Sequence, residues 1–446
     1  MIPVSGKIKA AFQSDSMLKT YYLQFPQTED KEYKQIDNTG LASDSITLTE
    51  PMCSEEQLKY GRCEAATFEC EVAYEAESLK GRIFNLYLVL GEYTEQEDIF
   101  TVGRYVIDEE EIENERMTKS ITAYDIMYTL LKLDITAFIF SINFPISVKD
   151  FRDALFEYIG QEQVDVNLPN DNLILQTNPF ENTDINFETV ITGLCEINAR
   201  FGHINREGKF DYVGLTPPAT EEVYPANDLY PSSTLYPNSI RSKSYYISPS
   251  LTKSDIAWQN YMCKTVDTVQ VRNQAGSVVL EYHLPDKNTY TNIYVIQNNW
   301  VVNALDSGGV QAMVYNFANA IAKVTYRPCD ANVKMDLSYE VGDPIVLTGT
   351  DGTKIHTYIF NRTMTGISSA FDEFEATGYE EWVNEPPDSD GAVQELADDL
   401  SDLTDRVEAL EQGTAEGGIS ILSVTSLPTS PKKNVLYLVQ GKVTVV

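Results

Sequence analysis

Histidine is the side chain that most often does proton or metal chemistry at neutral pH, and this chain has three: His203, His283 and His356. They are far apart in the sequence and follow no metal-ligand spacing, so we interpret each as a strand or turn residue. The sequence contains no H-E-x-x-H motif, no G-x-S-x-G motif and no P-loop. With 67 acidic residues, some carboxylates must lie close together in any fold, so a proposed glycosidase pair carries no information. The sequence therefore predicts no catalytic residue, no metal ligand, no cofactor and no enzyme.

Three other segments could do chemistry, but each has a simpler interpretation. The acidic run at residues 108–115 could supply oxygen ligands to calcium, yet it lacks a glycine-bearing calcium loop, so we expect a solvated face. Residues 349–353 could imitate a phosphate loop, but no helix follows, which favours a hairpin turn. Cys63 and Cys70 could be redox partners, although lone buried thiols are favoured. The calcium alternative stays open at this point.

One pattern is more specific, and it concerns assembly. After a linker that begins at Pro386 and Pro387, apolar residues recur at alternating spacings of three and four, with polar or acidic residues between them. Such a heptad pattern is typical of helices that associate with one another. The pattern is too short to determine the number of strands, and a coil this acidic needs other contacts to be stable. The residues predicted to form the trimerisation seam are Val393, Leu396, Leu400, Leu403, Val407 and Leu410.

Net charge, cysteine content and apolar stretches exclude several classes of protein. The 446 residues carry a formal net charge of −34, which argues against specific nucleic-acid binding and against attachment to an anionic membrane. The charge is compatible with a wall past which nucleic acid slides without sticking. Six scattered cysteines without C-x-x-C spacing are typical of assembly in a reducing cytoplasm. The first ten residues form no signal peptide, and the apolar stretch at 135–148 is too short for stable membrane insertion and predicts a buried strand.

The predicted secondary-structure elements indicate an α+β, β-rich fold. Alternation such as Phe68, Cys70 and Val72 indicates strands in the first part of the chain. Two amphipathic helices are predicted at 147–160 and 187–202, followed by a hairpin at 203–213. Strands then return with one helix at 308–325. The predicted domains are a first β-domain at 1–130, a helix-helix-hairpin domain at 131–215, a linker at 216–240, a second β-domain at 241–385, a linker at 386–392, a coiled coil at 393–411 and a C-terminal β module at 419–446.

Several stretches together resemble the tail hub proteins of long-tailed phages of Gram-positive bacteria. Residues 118–127, TKSITAYDIM, are similar to a strand-then-helix element of that family, and the helix pair is followed by the hairpin FGHINREGKF at 201–210. Similar stretches are also YVIQNNW at 294–300 and YEVGDPIV at 339–346. Residues 427–437, LPTSPKKNVLY, look like a short module common in phage tail and fibre chains. The resemblance covers residues 1–385 and the terminal module.

The resemblance implies a structural baseplate hub at the tail tip of a virion, assembled in the cytoplasm of the host. Each protomer of a homotrimer would carry two tube-like β-barrel domains, so that three pairs form a pseudo-six-fold ring around the channel for DNA ejection. The expected partners are the chain itself, the tail tube and distal tail proteins, the tape-measure protein, and a fibre or spike at the C-terminal end. Many relatives carry a longer C-terminal extension with a wall-degrading enzyme or a receptor-binding fibre, which we do not expect in a chain ending at Val446.

Two other functions stay open. A receptor-binding or adsorption protein of the tail tip would suit the terminal module and the 27 tyrosines. A tail-associated peptidoglycan-degrading enzyme would need a compact nucleophile or metal site, which the sequence does not show. The final residues, 441–446, are prone to form a strand with an uncovered edge, so this end is expected to cap the tube or hold the next component of the tail tip.

Overall fold

The computed structural model divides the chain into two compact units, Met1–Asn384 and Glu385–Val446. Within the ranges that it describes, no helix is long and apolar enough to cross a membrane. The described residues are 11–12, 14, 18–29, 31–73, 77–92, 97–113, 117–180, 184–216, 245–247, 252, 256–273, 276–285, 287, 290–367 and 370–382 in the first unit, and 420–424, 435–439 and 442–445 in the second.

Strands dominate the described residues, in agreement with the predicted β-rich class. They are β1 (Lys19–Phe25), β2 (Lys34–Ile36), β3 (Thr47–Pro51), β4 (Thr67–Ala73), β5 (Ile83–Leu90), β6 (Asp98–Glu113), β7 (Thr118–Tyr124), β8 (Ile146–Ser147), β9 (Ile174–Leu175), β10 (Phe201–Ile204), β11 (Phe210–Val213), β12 (Tyr245–Ile247), β13 (Ala257–Trp258), β14 (Thr268–Arg272), β15 (Val278–His283), β16 (Ile293–Gln297), β17 (Cys329–Lys334), β18 (Pro344–Thr348), β19 (Lys354–Tyr358), β20 (Asn361–Thr365), β21 (Phe371–Ala376), β22 (Ser420–Val424), β23 (Val435–Val439) and β24 (Lys442–Val445). The helices are α1 (Ile126–Leu131), α2 (Thr136–Ser141), α3 (Val148–Ile159), α4 (Phe187–Ile197), α5 (Trp300–Ala304) and α6 (Ser307–Ile321).

An eleven-stranded antiparallel sheet organises the first unit. Its order is β13-β17-β21-β20-β3-β4-β7-β6-β5-β1-β2, and among these strands the outermost two do not pair with each other. Strands from 1–130 and from 241–385 meet where β20 pairs with β3, with Thr363 opposite Thr49. The two regions that the sequence predicted as β-domains therefore share one sheet.

One side of this sheet is buried because apolar residues alternate along its strands. In β4, Phe68, Cys70 and Val72 are buried while Glu69 is exposed, which confirms the predicted alternation. Burying a side chain such as Phe or Leu stabilises the fold by about 1.5–3 kcal/mol, so a shift of one residue in register would expose the core. The alternation therefore determines which side chains of each strand face away from the core.

The two helices and the hairpin predicted within 131–215 are present. Ser147 caps α3 by accepting a hydrogen bond from Asp150 N at 3.0 Å, and Gly160 ends the helix with a φ of 69°. The hairpin β10–β11 agrees with the predicted hairpin, and in it Phe201 lies opposite Val213.

Two predictions for this region are wrong. The second helix, α4, ends at Ile197 and not at Gly202, because the backbone turns at Asn198 and Ala199 before strand β10 begins. Gly202 lies inside that strand, where a Cβ would come within 2.4 Å of the Cys63 thiol. The apolar stretch at 135–148, predicted as a buried strand, contains helix α2. One side of this helix is buried, and Phe138 lies on that side.

The second unit contains one three-stranded sheet in its described part. Strand β22 lies parallel to β23, and β24 lies antiparallel to β23. The predicted linkers at 386–392 and, for the most part, 216–240 lie outside the described residues, as does the predicted coiled coil at 393–411 with its six seam residues.

Candidate functional site

A polar surface runs across seven neighbouring strands, from β17 to β6, on the side of the sheet away from the core. Thr363 of β20 lies between Glu373 of β21 and Thr49 of β3 in the cross-strand register. Directly opposite residues of an antiparallel pair project from the same face, so this row is continuous across the junction of the two ends of the chain.

The same surface continues through β4, β7 and β6. Glu69 lies opposite Thr122, which in turn lies opposite Glu109. Hydroxyl and amide side chains thus alternate with carboxylates from strand to strand. We call the seven carboxylates the acidic face: Glu69, Glu71, Glu109, Glu111, Asp330, Glu373 and Glu375.

Like charges perturb one another on the acidic face. Partial burial raises the pKa of Asp330, and the carboxylate of Glu375 opposite raises it further. Partial burial likewise raises the pKa of Glu373, with further contributions from Asp330 and Glu375. The repulsion at Asp330 and Glu373 indicates a negative potential at the β17–β21 end of the acidic face.

The described part of the acidic run, residues 108–113, is divided between the two sides of the sheet. A bulge between Ile107 and Glu109 changes the alternation, so Glu109 faces outward while Glu110 faces inward. Glu110 forms a buried ion pair with Lys119 and accepts hydrogen bonds from Leu79 N at 2.8 Å and Ser78 Oγ at 2.8 Å. The predicted solvated face therefore applies to only part of the run. Among the described residues, no group of three or more His, Cys, Asp or Glu side chains is placed to hold a metal ion.

A buried node of four charged residues lies on the inner side of the same strands: Glu50, Arg206, Arg362 and Asp372. Arg362 Nη2 donates to Asp372 Oδ1 at 2.9 Å, and its Nη1 donates to Glu50 Oε2 at 3.0 Å. Arg206, from the β10–β11 turn, lies with Nη1 3.6 Å from Glu50 Oε1. The node thus joins strand β3, the hairpin and strands β20 and β21.

In the node, burial and the charges of neighbouring groups shift the pKa values in opposite directions. Burial alone would raise the pKa of Glu50, but Arg206 and Arg362 outweigh it and hold this pKa below its usual range. Burial also tends to lower the pKa of Arg362, and Asp372 and Glu50 reverse the direction and raise it. Glu50 and Arg362 therefore stabilise each other's charged forms away from water, whereas burial raises the pKa of Asp372 although Arg362 acts in the opposite direction.

An open cleft of ≈ 370 Å³ lies where the loop at 59–62, helix α4 and the connection between β16 and α5 meet. Glu196 lines it and is half-buried. Asn299 Nδ2 donates to Glu196 Oε2 at 2.7 Å, and the Tyr294 hydroxyl donates to its Oε1 at 3.4 Å. Burial raises the pKa of Glu196 to about 7, although the hydrogen bond from Asn299 and the charge of Lys59 act in the opposite direction.

The three histidines do not come together in the structure, and neither do Cys63 and Cys70. His203, His283 and His356 lie on three different sheets. All six cysteines are buried and free. Cys63 and Cys70 belong to separate cores, so they are not a redox pair, and Cys63 lies beside Cys195.

Sequence reasoning missed the three features that the structure assembles. For the acidic face a signal existed, since Thr, Ser or Glu alternates with buried residues along several strands, but the strand order was needed to make those rows contiguous. For the buried node and the cleft, no local pattern distinguished Arg362 or Glu196 from surface residues.

No family model matches the sequence, and no curated protein matches it. Solved structures similar to this chain include the 43 kDa tail protein of prophage MuSo2 from Shewanella oneidensis, which has a TM-score of 0.44 and 10% identity and is matched over 80% of this chain and 96% of its own. The tail protein from Neisseria meningitidis has a TM-score of 0.45 and 10% identity, over 82% of this chain and 98% of its own. A prophage tail protein from Listeria monocytogenes has a TM-score of 0.43 and 12% identity, over 86% of this chain and 99% of its own. All three are named as tail proteins.

Proposed function

We propose that the chain is a structural, non-enzymatic hub of a phage tail tip or baseplate, and that its acidic face lines the channel. Three copies would form the ring, with the shared sheet of each copy facing the opening through which DNA leaves. The ring would join the tail tube to the tip.

The acidic face is the observation that carries this proposal. DNA bears one negative charge for about every 1.7 Å of duplex, so a surface of carboxylates repels it at short range. The hydroxyl groups of residues such as Thr122 and Thr363 keep that surface hydrated without adding positive charge. A wall of this composition would let DNA pass without binding it.

A channel wall must also resist deformation. The polar surface crosses from β3 to β20 through Thr49 and Thr363, and the buried node joins the same two strands from behind through Glu50 and Arg362. Because the first and last parts of the unit contribute to one sheet, the wall does not depend on a flexible connection between them.

The trimeric state is supported by the heptad seam and by the resemblance to tail hubs. The seam would hold three copies of the chain on one axis, and the β module after it would cap the tube or hold a fibre or spike. Electron microscopy of the purified oligomer is the direct test, with a three-fold ring around a central opening as the expected image. A monomer, or a closed particle without an opening, would contradict the proposal.

Charge reversal tests the role of the acidic face. The variant Glu69→Lys/Glu109→Lys/Glu373→Lys should bind duplex DNA in a mobility-shift assay at low salt, with binding that weakens steeply as salt is raised. The matched control carries the same change in charge at exposed positions elsewhere, Glu157→Lys/Asp165→Lys/Asp184→Lys. Wild type and control should not bind, and equal binding by both triple variants would show that the face has no special role.

The absence of enzymatic activity is tested separately by a zymogram on host peptidoglycan. Clearing by the wild-type chain would replace the structural role with a wall-degrading one.

A further inference from the structure

The base of the open cleft is formed by close contacts between its walls. Asn299 Nδ2 donates to Gly193 O at 3.0 Å, and a Cβ placed on Gly193 would come within 2.5 Å of Trp300 Nε1. A Cβ placed on Gly61 would lie 2.8 Å from Glu196 Cβ. The walls are therefore fixed relative to one another. The space of ≈ 370 Å³ between them lies in the range of small-molecule sites, about 300–1,000 Å³.

Helix α4 forms one wall, with a row of polar side chains. Glu188, Thr192 and Glu196 follow one another at intervals of four residues, so they lie on one side of the helix, and all three line the cleft. The row is about 12 Å long, since each helical residue rises about 1.5 Å. Glu196 already accepts hydrogen bonds from Asn299 and the Tyr294 hydroxyl. Glu188 is exposed, and its carboxylate forms no ion pair or hydrogen bond with the described residues.

The loop wall supplies the opposite charge. Lys59 and Arg62 both line the cleft. Between them, Gly61 contacts α4 at Thr192 and Glu196, so the two cations lie towards the end of the cleft away from the start of the helix. Arg62 forms an ion pair with Glu55. Lys59 is exposed and forms no ion pair within the described part of the chain. The cleft thus has a free carboxylate at one end and a free ammonium group at the other.

The third wall is neutral. Gln297 and Asn298 line the cleft from the connection between β16 and α5, and Asn298 is exposed. Their side-chain amides form no hydrogen bond with any described residue. An amide side chain both donates and accepts hydrogen bonds, as a peptide group does.

We propose that the cleft binds a short zwitterionic peptide, with its ammonium group at Glu188 and its carboxylate at Lys59. Gln297 and Asn298 donate to and accept from the peptide groups between the two ends. An extended residue spans at most about 3.3–3.6 Å, so a cleft of about 12 Å takes about three residues. A zwitterion has no net charge, so the net charge of −34 does not repel it as it repels an anion. This site does not depend on the role proposed for the acidic face.

Triglycine is the probe, since its only charges are its two termini. Saturation-transfer NMR titrations of the full chain at pH 6.5 compare it with N-acetyl-triglycine, which lacks the ammonium group, and with triglycine amide, which lacks the carboxylate. Triglycine should bind with a Kd on the order of millimolar. Each blocked peptide should bind roughly two- to five-fold more weakly, because it loses one exposed ion pair.

Two variants assign each charge of the peptide to one wall. Glu188→Gln should weaken binding of triglycine roughly two- to five-fold and leave binding of N-acetyl-triglycine unchanged. Lys59→Met should weaken binding of triglycine to a similar extent and leave binding of triglycine amide unchanged. Glu157→Gln, an exposed carboxyl of α3 outside the cleft, is the matched control and should bind all three peptides as the wild type does.

The substituted side chains are exposed and form no ion pair with the described residues, so the variants should fold as the wild type does. Absence of saturation transfer to triglycine, or equal binding of the three peptides by the wild type, would overturn the proposal. Binding of triglycine by Glu188→Gln or by Lys59→Met that equals binding by Glu157→Gln would overturn it as well.

Discussion

Replacing Arg362 by Met removes the cation at the centre of the buried node. The Arg362 side chain is fully buried and donates hydrogen bonds to Asp372, to Glu50 and, at 3.0 Å, to the carbonyl of Tyr339. Met has a similar length and fills most of the space, so the loss of charge and hydrogen bonds dominates the effect.

The expected cost follows from what the substitution leaves behind. Glu50 keeps Arg206 at 3.6 Å, but the fully buried Asp372 loses its cation. Removing one member of a buried ion pair typically destabilises a protein by about 3–5 kcal/mol. The double variant Arg362→Met/Asp372→Leu no longer buries that isolated carboxylate, so it should be more stable than the single variant.

Urea denaturation followed by circular dichroism measures both effects as shifts in the transition midpoint. Lys31→Met is the control, since Lys31 and Glu77 form a 2.6 Å ion pair with side chains that are 43% and 45% exposed. Breaking that pair should change the free energy of unfolding by less than about 1 kcal/mol. A midpoint for Arg362→Met no lower than that of the control would refute the role of the node.

Three further changes have defined outcomes. Gly202→Ala places a Cβ 2.4 Å from the Cys63 thiol, so it should lower stability by about 1–3 kcal/mol in thermal unfolding, and an unchanged midpoint would contradict the packing. Ser147→Ala removes the cap of α3 and should cost about 1 kcal/mol in the same assay, while Ser147→Asp should keep most of that stability. Leu396→Asp/Leu403→Asp should reduce the mass of the oligomer in sedimentation analysis, and a variant that stays trimeric would argue against the predicted seam.

Local features of the fold could be predicted from the sequence because they depend on residues close together in the chain. The alternation in β4, the Ser147 cap, the Gly160 stop and the β10–β11 hairpin each involve a few neighbouring positions. Their physical basis is the period of a strand or helix and the hydrogen bonds at helix ends. The heptad seam at 393–411 has the same local basis and stays a prediction.

The order of strands depended on tertiary structure alone. Polar and buried residues alternate along β3 and along β20. Any neighbouring strand would be compatible with this alternation as long as the buried side is covered, so the pattern does not specify that these two strands pair. Their pairing brings Glu50 to Arg362 across 312 positions of the chain and makes the acidic rows continuous. The cleft arises in the same way, since Glu196 and Asn299 are 103 positions apart. The sequence determined which side of each strand is polar, and only the packing of distant segments decided which polar groups share a surface or a buried site.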